Sequence, residues 1–152
     1  MREVVISAVE NGLGLDRSTR HDSVMSLSHP ECTDLTSRII GAAIEVHKYF
    51  GPGLLESAYV DSLYWEMVDQ GLSAEQQRSI PLVYKSRLMK ATYRADLIVE
   101  RLVLVEVKAI EKTLSIHKSQ TLTYMKLTGL KLGLLINFNV PLLVNDITRL
   151  SL

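Results

Sequence analysis

The stretch that decides the fold runs from residue 93 to residue 108 and reads YRADLIVERLVLVEVK. Two apolar runs in it are separated by Glu100-Arg101, and this pattern predicts two strands joined by a turn. Both faces of these strands are apolar, as in a sheet that is covered by helices on each side. Asp96, Glu106 and Lys108 interrupt the runs. Since buried ionisable groups are costly unless they are paired or bind a metal, these three residues mark a candidate site.

The length of the turn decides whether the two carboxylates meet. In an antiparallel hairpin, opposed residues point to the same side of the sheet, and the sum of their numbers is constant. A three-residue loop centred on Arg101 places Asp96 opposite Glu106, whereas a strict two-residue loop places Asp96 opposite Val105 and turns it away. We therefore predict a three-residue loop or a bulge.

Two carboxylates on one face form a site of hard oxygen ligands, which Mg²⁺ and Mn²⁺ prefer. A lysine beside them can orient a water molecule and offset the charge that develops on a phosphate. The alternative is a structural lattice, in which Asp96 and Glu106 form salt bridges with Arg94 and Lys108.

Outward from this hairpin, helical and strand patterns predict a mixed α/β (α+β) domain with the element order ααβββαββ. Asp34 and Thr36 are candidate N-caps of the first helix, and Gly51-Pro52-Gly53 ends it. Trp65 is predicted to lie in the core. The predicted helices are 37–50, 54–70 and 115–128, and the predicted strands are 80–84, 89–99, 102–109, 132–138 and 147–150.

The charge of the chain is unevenly distributed, although 17 basic and 17 acidic residues cancel over its 152 residues. Residues 1–36 hold three basic and six acidic side chains, and residues 37–152 hold 14 basic and 11 acidic ones. We predict an acidic, poorly ordered extension over 1–34 and one domain over 35–152. Met25 is an alternative start. The modest basic excess of the domain predicts weak, salt-sensitive affinity for nucleic acid.

The composition excludes several classes of protein. The longest apolar run, residues 39–44, is far shorter than the ~20 residues of a membrane span. The single cysteine, Cys32, excludes an internal disulfide and an iron–sulfur cluster. A reducing, cytoplasmic location without membrane attachment is expected.

The spacing from Asp96 to Glu106-Val107-Lys108 resembles the D…(D/E)-x-K signature of the PD-(D/E)XK nuclease superfamily. Residues 53–59, GLLESAY, resemble the motif of its GxxExxY protein family, and residues 120–124, QTLTY, resemble the QxxxY helix of RecB-type nucleases. The resemblance covers residues 35–150 and implies a restriction-endonuclease-like core, a central mixed sheet flanked by helices. Ala95 stands where the superfamily has a proline.

The resemblance also implies roles for individual residues. The implied catalytic residues are Glu56, Asp96, Glu106 and Lys108. The implied ligands of Mg²⁺ or Mn²⁺ are Glu56, Asp96, Glu106 and the backbone carbonyl of Val107. Residues implied to bind substrate or support the site are Tyr59, His117, Gln120 and Tyr124, of which the last three share a helical face. The implied reaction is hydrolysis of phosphodiester bonds, in DNA rather than RNA.

Other interpretations stand beside this one. Glu56 also suits the first turn of any helix, where it complements the helix dipole. Tyr59 and Tyr124 also suit packing positions. The alternative function is a catalytically weak or inactive nuclease-fold module for nucleic-acid binding or protein assembly, and a phosphoesterase with another substrate stays open. Because the chain has no room for a separate specificity domain, substrate choice is expected to depend on a homodimer or a partner protein.

Overall fold

The computed structural model describes residues 30–152, with side chains from residue 33 onward. The predicted extension lies outside the described residues except for residues 30–34, which belong to the first helix. No helix in the described part of the chain is long and apolar enough to cross a membrane. The helices are α1 (Pro30–Phe50), α2 (Glu56–Asp69) and α3 (Ser115–Thr128), with a short 3₁₀ helix at Leu143–Asp146. The strands are β1 (Ala74–Tyr84), β2 (Arg87–Val99), β3 (Val103–Lys108), β4 (Leu132–Asn137) and β5 (Ile147–Ser151).

The predicted element order is confirmed, but the start of the first helix is wrong. α1 begins at Pro30 rather than at residue 37, because proline fits the first turn of a helix, where its missing N–H is not needed. Asp34 and Thr36 therefore lie inside the helix and are not N-caps. The Thr36 hydroxyl donates to the Thr33 carbonyl oxygen at 3.1 Å instead.

The five strands form one mixed sheet in the order β1-β2-β3-β4-β5. β3 and β4 pair in parallel, and the other neighbours pair antiparallel. α3 is the crossover that connects the parallel pair. This mixed α/β architecture confirms the predicted fold class and is consistent with a restriction-endonuclease-like fold.

The helices cover the two faces of the sheet separately. α1 and α2 pack on the face that includes Leu97, Val105 and Ile136. α3 packs on the opposite face through Tyr124 and Met125. The prediction that Trp65 lies in the core is wrong: it is 61% exposed, because α2 buries a different side of the helix. The buried residues of α2 are Tyr59, Val60, Leu63 and Met67.

The β2–β3 hairpin has the predicted register. Leu97 pairs with Val105 and Val99 pairs with Val103, which leaves a three-residue loop at 100–102. Glu100 and Arg101 both adopt positive φ, of 50° and 57°. The three-residue loop is therefore confirmed. It places Asp96 on β2 beside the last residues of β3.

Candidate active site

The candidate site forms where β3 ends. Glu106 and Lys108 come from this strand, Asp96 from β2, and Glu56 is the first residue of α2. Asp96 and Glu106 are buried, with exposures of 9% and 3%. The structure thus brings the four predicted catalytic residues into one neighbourhood, with α3 alongside.

Asp96 takes the place of a backbone partner in the sheet. The ladder between β2 and β3 ends at Leu97 and Val105, and beyond it the Val107 N–H donates to Asp96 Oδ2 at 2.9 Å. Gln77 Nε2 donates to Asp96 Oδ1 at 3.1 Å. The Asp96 carboxylate is therefore held from both sides, by its neighbours on β1 and β3.

Lys108 lies between two carboxylates. Its Nζ is 3.0 Å from Glu106 Oε1 and 3.7 Å from Glu56 Oε1. It also donates to the Val107 carbonyl oxygen at 3.1 Å. The side chain of Lys108 is 12% exposed and that of Glu56 is 43% exposed. In this ion pair, Lys108 is therefore the more deeply buried partner.

Glu106 carries the most unusual atom of the site. Its Oε2 is buried and meets no hydrogen-bond partner. The pKa of Glu106 is raised to about 7, first by burial and then by the charge of Asp96, while Lys108 lowers it through its charge and its hydrogen bond. Burial lowers the pKa of Lys108, but the charge and hydrogen bond of Glu106, together with the charges of Glu56 and Asp96, outweigh this effect and raise the pKa above its ordinary value. At neutral pH, Lys108 is therefore a cation beside a carboxyl group that is partly protonated.

The donor set fits a divalent cation in part. Asp96 and Glu106 supply buried carboxylate oxygens, and the unpartnered Glu106 Oε2 is an atom that a cation would satisfy. Among residues 33–152, however, no three His, Cys, Asp or Glu side chains are grouped closely enough to hold one ion. The predicted convergence of three carboxylates is therefore not found, since the Lys108 ammonium stands between Glu56 and Glu106.

α3 adds a polar pair above the site. Gln120 Nε2 donates to the Tyr124 hydroxyl at 2.7 Å, and the Tyr124 ring lies 5.3 Å from that of Tyr93. Burial raises the pKa of Tyr124, the hydrogen bond from Gln120 lowers it, and the charge of Glu106 raises it, with a net rise. Gln120 and Tyr124 thus stand together, as their shared helical face predicts, and Tyr124 lies within electrostatic reach of Glu106.

His117 has a local role in this structure. Its Nδ1 accepts the Leu114 N–H at 3.0 Å and so satisfies a free donor at the start of α3. The Nδ1 atom is engaged at the helix terminus, so His117 binds the backbone at the start of its own helix rather than a predicted catalytic side chain.

Tyr59 supports the site from below. Its hydroxyl donates to the Gly51 carbonyl oxygen at 2.6 Å and accepts the Leu54 N–H at 3.1 Å. Its ring is fully buried and stacks on Phe138 with the centroids 4.5 Å apart. The packing interpretation of Tyr59 therefore fits, and the residue fixes the turn that leads to Glu56.

Two residues near the site were missed in the sequence. Asn137 pairs with Lys108 in the β3–β4 ladder, and its side-chain amide binds both the N–H and the carbonyl of Ile110, at 3.1 and 2.8 Å. It thereby fixes the chain just beyond Lys108. Asn137 could have been found in the sequence, because it is a polar residue within the apolar run 132–138. Gln77 could not, because it lies in a polar segment and does not stand out from its neighbours.

Comparison with known proteins agrees with this geometry. The profile of the PD-(D/E)XK nuclease superfamily matches residues 33–150. Searches of curated proteins and of solved structures find no match. The profile covers most of the chain, including every candidate site residue, and the chain therefore belongs to the PD-(D/E)XK nuclease superfamily.

Proposed function

We propose that this protein is a metal-dependent nuclease of the GxxExxY group that hydrolyses phosphodiester bonds in DNA. The observation that carries the proposal is the buried, unpartnered Oε2 of Glu106 beside Asp96 and Lys108. A fold gains no stability from such an oxygen, because its desolvation is not repaid by a hydrogen bond. Buried carboxylates with strongly raised pKa values are typical of functional sites.

The GxxExxY assignment is supported by what each motif residue does. Gly53 adopts a φ of +108°, a conformation that favours glycine. Glu56 begins α2 and faces Lys108, and the Tyr59 hydroxyl binds the turn between Gly51 and Leu54. Each of the three fixed positions in the motif therefore has its own physical requirement.

The ligands proposed for Mg²⁺ or Mn²⁺ are Glu56, Asp96, Glu106 and the Val107 carbonyl oxygen. When bound, such an ion lowers the pKa of a coordinated water and polarises a phosphoryl oxygen. Glu56 is about half exposed, and its 3.7 Å contact with Lys108 is longer than a hydrogen bond. Its side chain can therefore turn toward Glu106 without loss of a hydrogen bond.

Lys108 and the α3 pair have complementary parts in the proposed reaction. The Lys108 ammonium stays charged at neutral pH, so it can hold a water molecule or compensate negative charge on a phosphate. Gln120 orients the Tyr124 hydroxyl, which can donate to a phosphate oxygen at the edge of the site. Asp96, which is bound through both oxygens, keeps its place while substrate enters and leaves.

The test is cleavage of labelled single- and double-stranded DNA and RNA with Mg²⁺, Mn²⁺ or EDTA. The variants are Glu106→Ala and Lys108→Ala, with Glu45→Gln as a control, since Glu45 is an exposed acidic residue on α1. We expect metal-dependent cleavage of DNA that both site variants lose and the control keeps. Equal cleavage by Glu106→Ala and the unaltered protein would refute the proposal.

The second candidate is a nuclease-fold module that binds nucleic acid or a protein without cutting. The observation that favours it is the position of Lys108 between Glu56 and Glu106, since no three potential ligand side chains in the described part of the chain are grouped closely enough to hold an ion. Binding of DNA with no cleavage under any of the metal conditions would select this candidate. A homodimer or a partner protein is a part of either proposal.

A further inference from the structure

The hairpin formed by β1 and β2 continues beyond the body of the protein. We call residues 79–94 the basic arm. On β2, residues 87–94 are all exposed, whereas residues 95–99 are all buried. On the opposite strand of the arm, only Ile80 is buried. The outer part of the hairpin is therefore a two-stranded ribbon with solvent on both faces.

The basic arm extends from the end of the sheet that holds the candidate site. The β2–β3 ladder ends at Leu97 and Val105, and β3 itself ends at Lys108. β2 continues outward as far as Arg87, so the exposed part is about 24 Å long at the usual rise of a strand. The arm joins the site through the contact between the rings of Tyr93 and Tyr124.

The charge of the basic arm has one sign. Residues 79–94 contain four basic side chains and no acidic one. The four are Lys85, Arg87, Lys90 and Arg94. None of them is among the ion pairs formed by the described side chains, and all four residues are exposed. Such an uncompensated positive surface beside the candidate site attracts a polyanion.

The tip of the arm is a tight turn that carries two of the four basic residues, Lys85 and Arg87. Lys85 and Ser86 both have positive φ, of 46° and 63°, in a two-residue turn closed by the pair Tyr84 and Arg87. This turn suits a twisted ribbon, although Asn and Gly are the usual residues in it. A register shift between Pro81 and Val83 adds to the twist. The major groove of DNA admits a ribbon of this kind.

We propose that the basic arm binds the sugar–phosphate backbone of duplex DNA beside the candidate site. The inference rests on the proposed function for the identity of the polyanion. It adds a binding surface on β1 and β2 that neither the metal-site residues nor α3 supply. The length of the arm corresponds to about seven nucleotide steps along a DNA strand. Lysine and arginine at intervals along this length can neutralise successive phosphates.

The test measures binding to a fluorescent duplex of about 30 base pairs by anisotropy, in EDTA and over a series of salt concentrations. The arm variant is K85Q/R87Q/K90Q, and the charge-matched control is K48Q/K131Q/R149Q, in which the altered residues lie on α1, before β4 and on β5. A third variant, K85R/R87K/K90R, keeps the charge of the arm. Thermal unfolding monitored by circular dichroism confirms that each variant folds.

We expect the arm variant to bind DNA at least about tenfold more weakly at 0.1 M salt, with a slope of log K against log salt that is smaller by about 2 to 3. The charge-matched control and the charge-keeping variant should bind within about threefold of the unaltered protein. An equal loss in the charge-matched control, or a loss with duplex RNA but not with duplex DNA, would overturn the inference.

Cleavage separates this inference from the proposed function. Loss of binding in the arm variant, with no cleavage by the unaltered protein in metal, supports the arm and refutes the nuclease. Metal-dependent cleavage with undiminished binding by the arm variant supports the nuclease and refutes the arm. If the unaltered protein neither binds nor cleaves DNA, both fail.

Discussion

The Lys108 ammonium lies 3.0 Å from Glu106 Oε1, while the other oxygen of the same carboxylate meets no hydrogen-bond partner. Lys108 thus provides a partner for only one of the two oxygens of this buried carboxylate. This imbalance makes the site sensitive to protons, to the removal of the lysine and to added cations, and each of these responses can be measured.

The first prediction concerns the pH dependence of stability without metal. The pKa of Glu106 is about 7 in the folded protein and 4.5 as its reference, so the folded state binds more protons between these values. The free energy of unfolding should therefore fall as pH rises from 4.5 to 7, by at most about 3 kcal/mol. Lys108 stays protonated throughout this window, because its raised pKa lies far above it, so its own titration contributes nothing to the change.

Urea unfolding in EDTA at a series of pH values checks this prediction. In Glu106→Gln, which has no proton to release, the decrease between pH 4.5 and 7 should be smaller by the contribution of Glu106. Parallel curves for the variant and the unaltered protein would contradict the shifted pKa.

The second prediction concerns Lys108→Ala. Removal of the ammonium leaves the buried Glu106 carboxylate without its cation, so at pH 8 we expect a loss of about 3 kcal/mol in the free energy of unfolding. Cleavage should fall by about 100-fold or more. Lys118→Ala on the exposed side of α3 is the control and should change neither quantity appreciably. A stable but inactive Lys108→Ala protein would mean that the lysine contributes chemistry without supporting the fold.

The third prediction concerns metal binding. A divalent cation should raise the midpoint of thermal unfolding of the unaltered protein, because it binds the folded state and satisfies Glu106 Oε2. The rise should be greater at pH 8 than at pH 5.5, since protons compete for the carboxylate below its pKa of about 7. Titration of Mg²⁺ and Mn²⁺ followed by scanning calorimetry measures it, and the same rise in Glu106→Gln would place the ion elsewhere.

The fourth prediction concerns Tyr59→Phe. The change removes the hydroxyl that binds Gly51 and Leu54, so we expect a loss of about 1 to 2 kcal/mol in the free energy of unfolding. Activity should fall as well, because the turn before Glu56 loses its support. Tyr49→Phe is the matched control, since Tyr49 is 82% exposed. Urea unfolding of both variants measures this difference. If Tyr59→Phe is as stable as Tyr49→Phe, the Tyr59 hydroxyl does not stabilise the fold.

The fifth prediction compares two glycines. A Cβ at Gly133 on β4 would lie 2.5 Å from the Met125 sulfur, so Gly133→Ala should lower the free energy of unfolding by about 1 to 2 kcal/mol through overpacking. A Cβ at Gly41 in α1 meets nothing within 4 Å, so Gly41→Ala should raise the free energy of unfolding by about 0.5 to 1 kcal/mol. Effects of the same sign in the two variants would contradict the close packing of α3 on β4.

Much of the fold follows from local patterns. The spacing of Asp96 and Glu106 was enough to predict the three-residue loop, because a two-residue loop would have turned one carboxylate away. The first six residues of β1 were missed, since Ala74 to Ser79 are polar or small and only partly buried. Trp65 was misplaced because a large apolar side chain usually lies inside, whereas α2 buries Tyr59 and Leu63 on another side.

The site followed from sequence less completely. The motif identified which carboxylates come near each other. It did not predict that the Lys108 ammonium lies between Glu56 and Glu106, because that position depends on side-chain geometry across three elements. Gln77 reaches Asp96 because the register that pairs Gln76 with Leu97 and Arg78 with Ala95 sets the two residues opposite each other, and the predicted first strand began only at residue 80. His117 shares a helical face with Tyr124, yet its ring completes the start of α3.

The bond from the Val107 N–H to Asp96 has a consequence for how sequences of this kind should be compared. A chain that lost Asp96 would leave a buried donor unsatisfied in the middle of the sheet, at a cost of about 1 to 3 kcal/mol. Selection for a folded protein alone can therefore preserve Asp96 after catalysis is lost. Folding exerts less pressure on Glu106, because its Oε2 has no partner and only its Oε1 pairs with Lys108. Among relatives that have begun to lose activity, Glu106 should therefore be substituted before Asp96. Retention of Glu106 is then stronger evidence of an active enzyme than retention of Asp96.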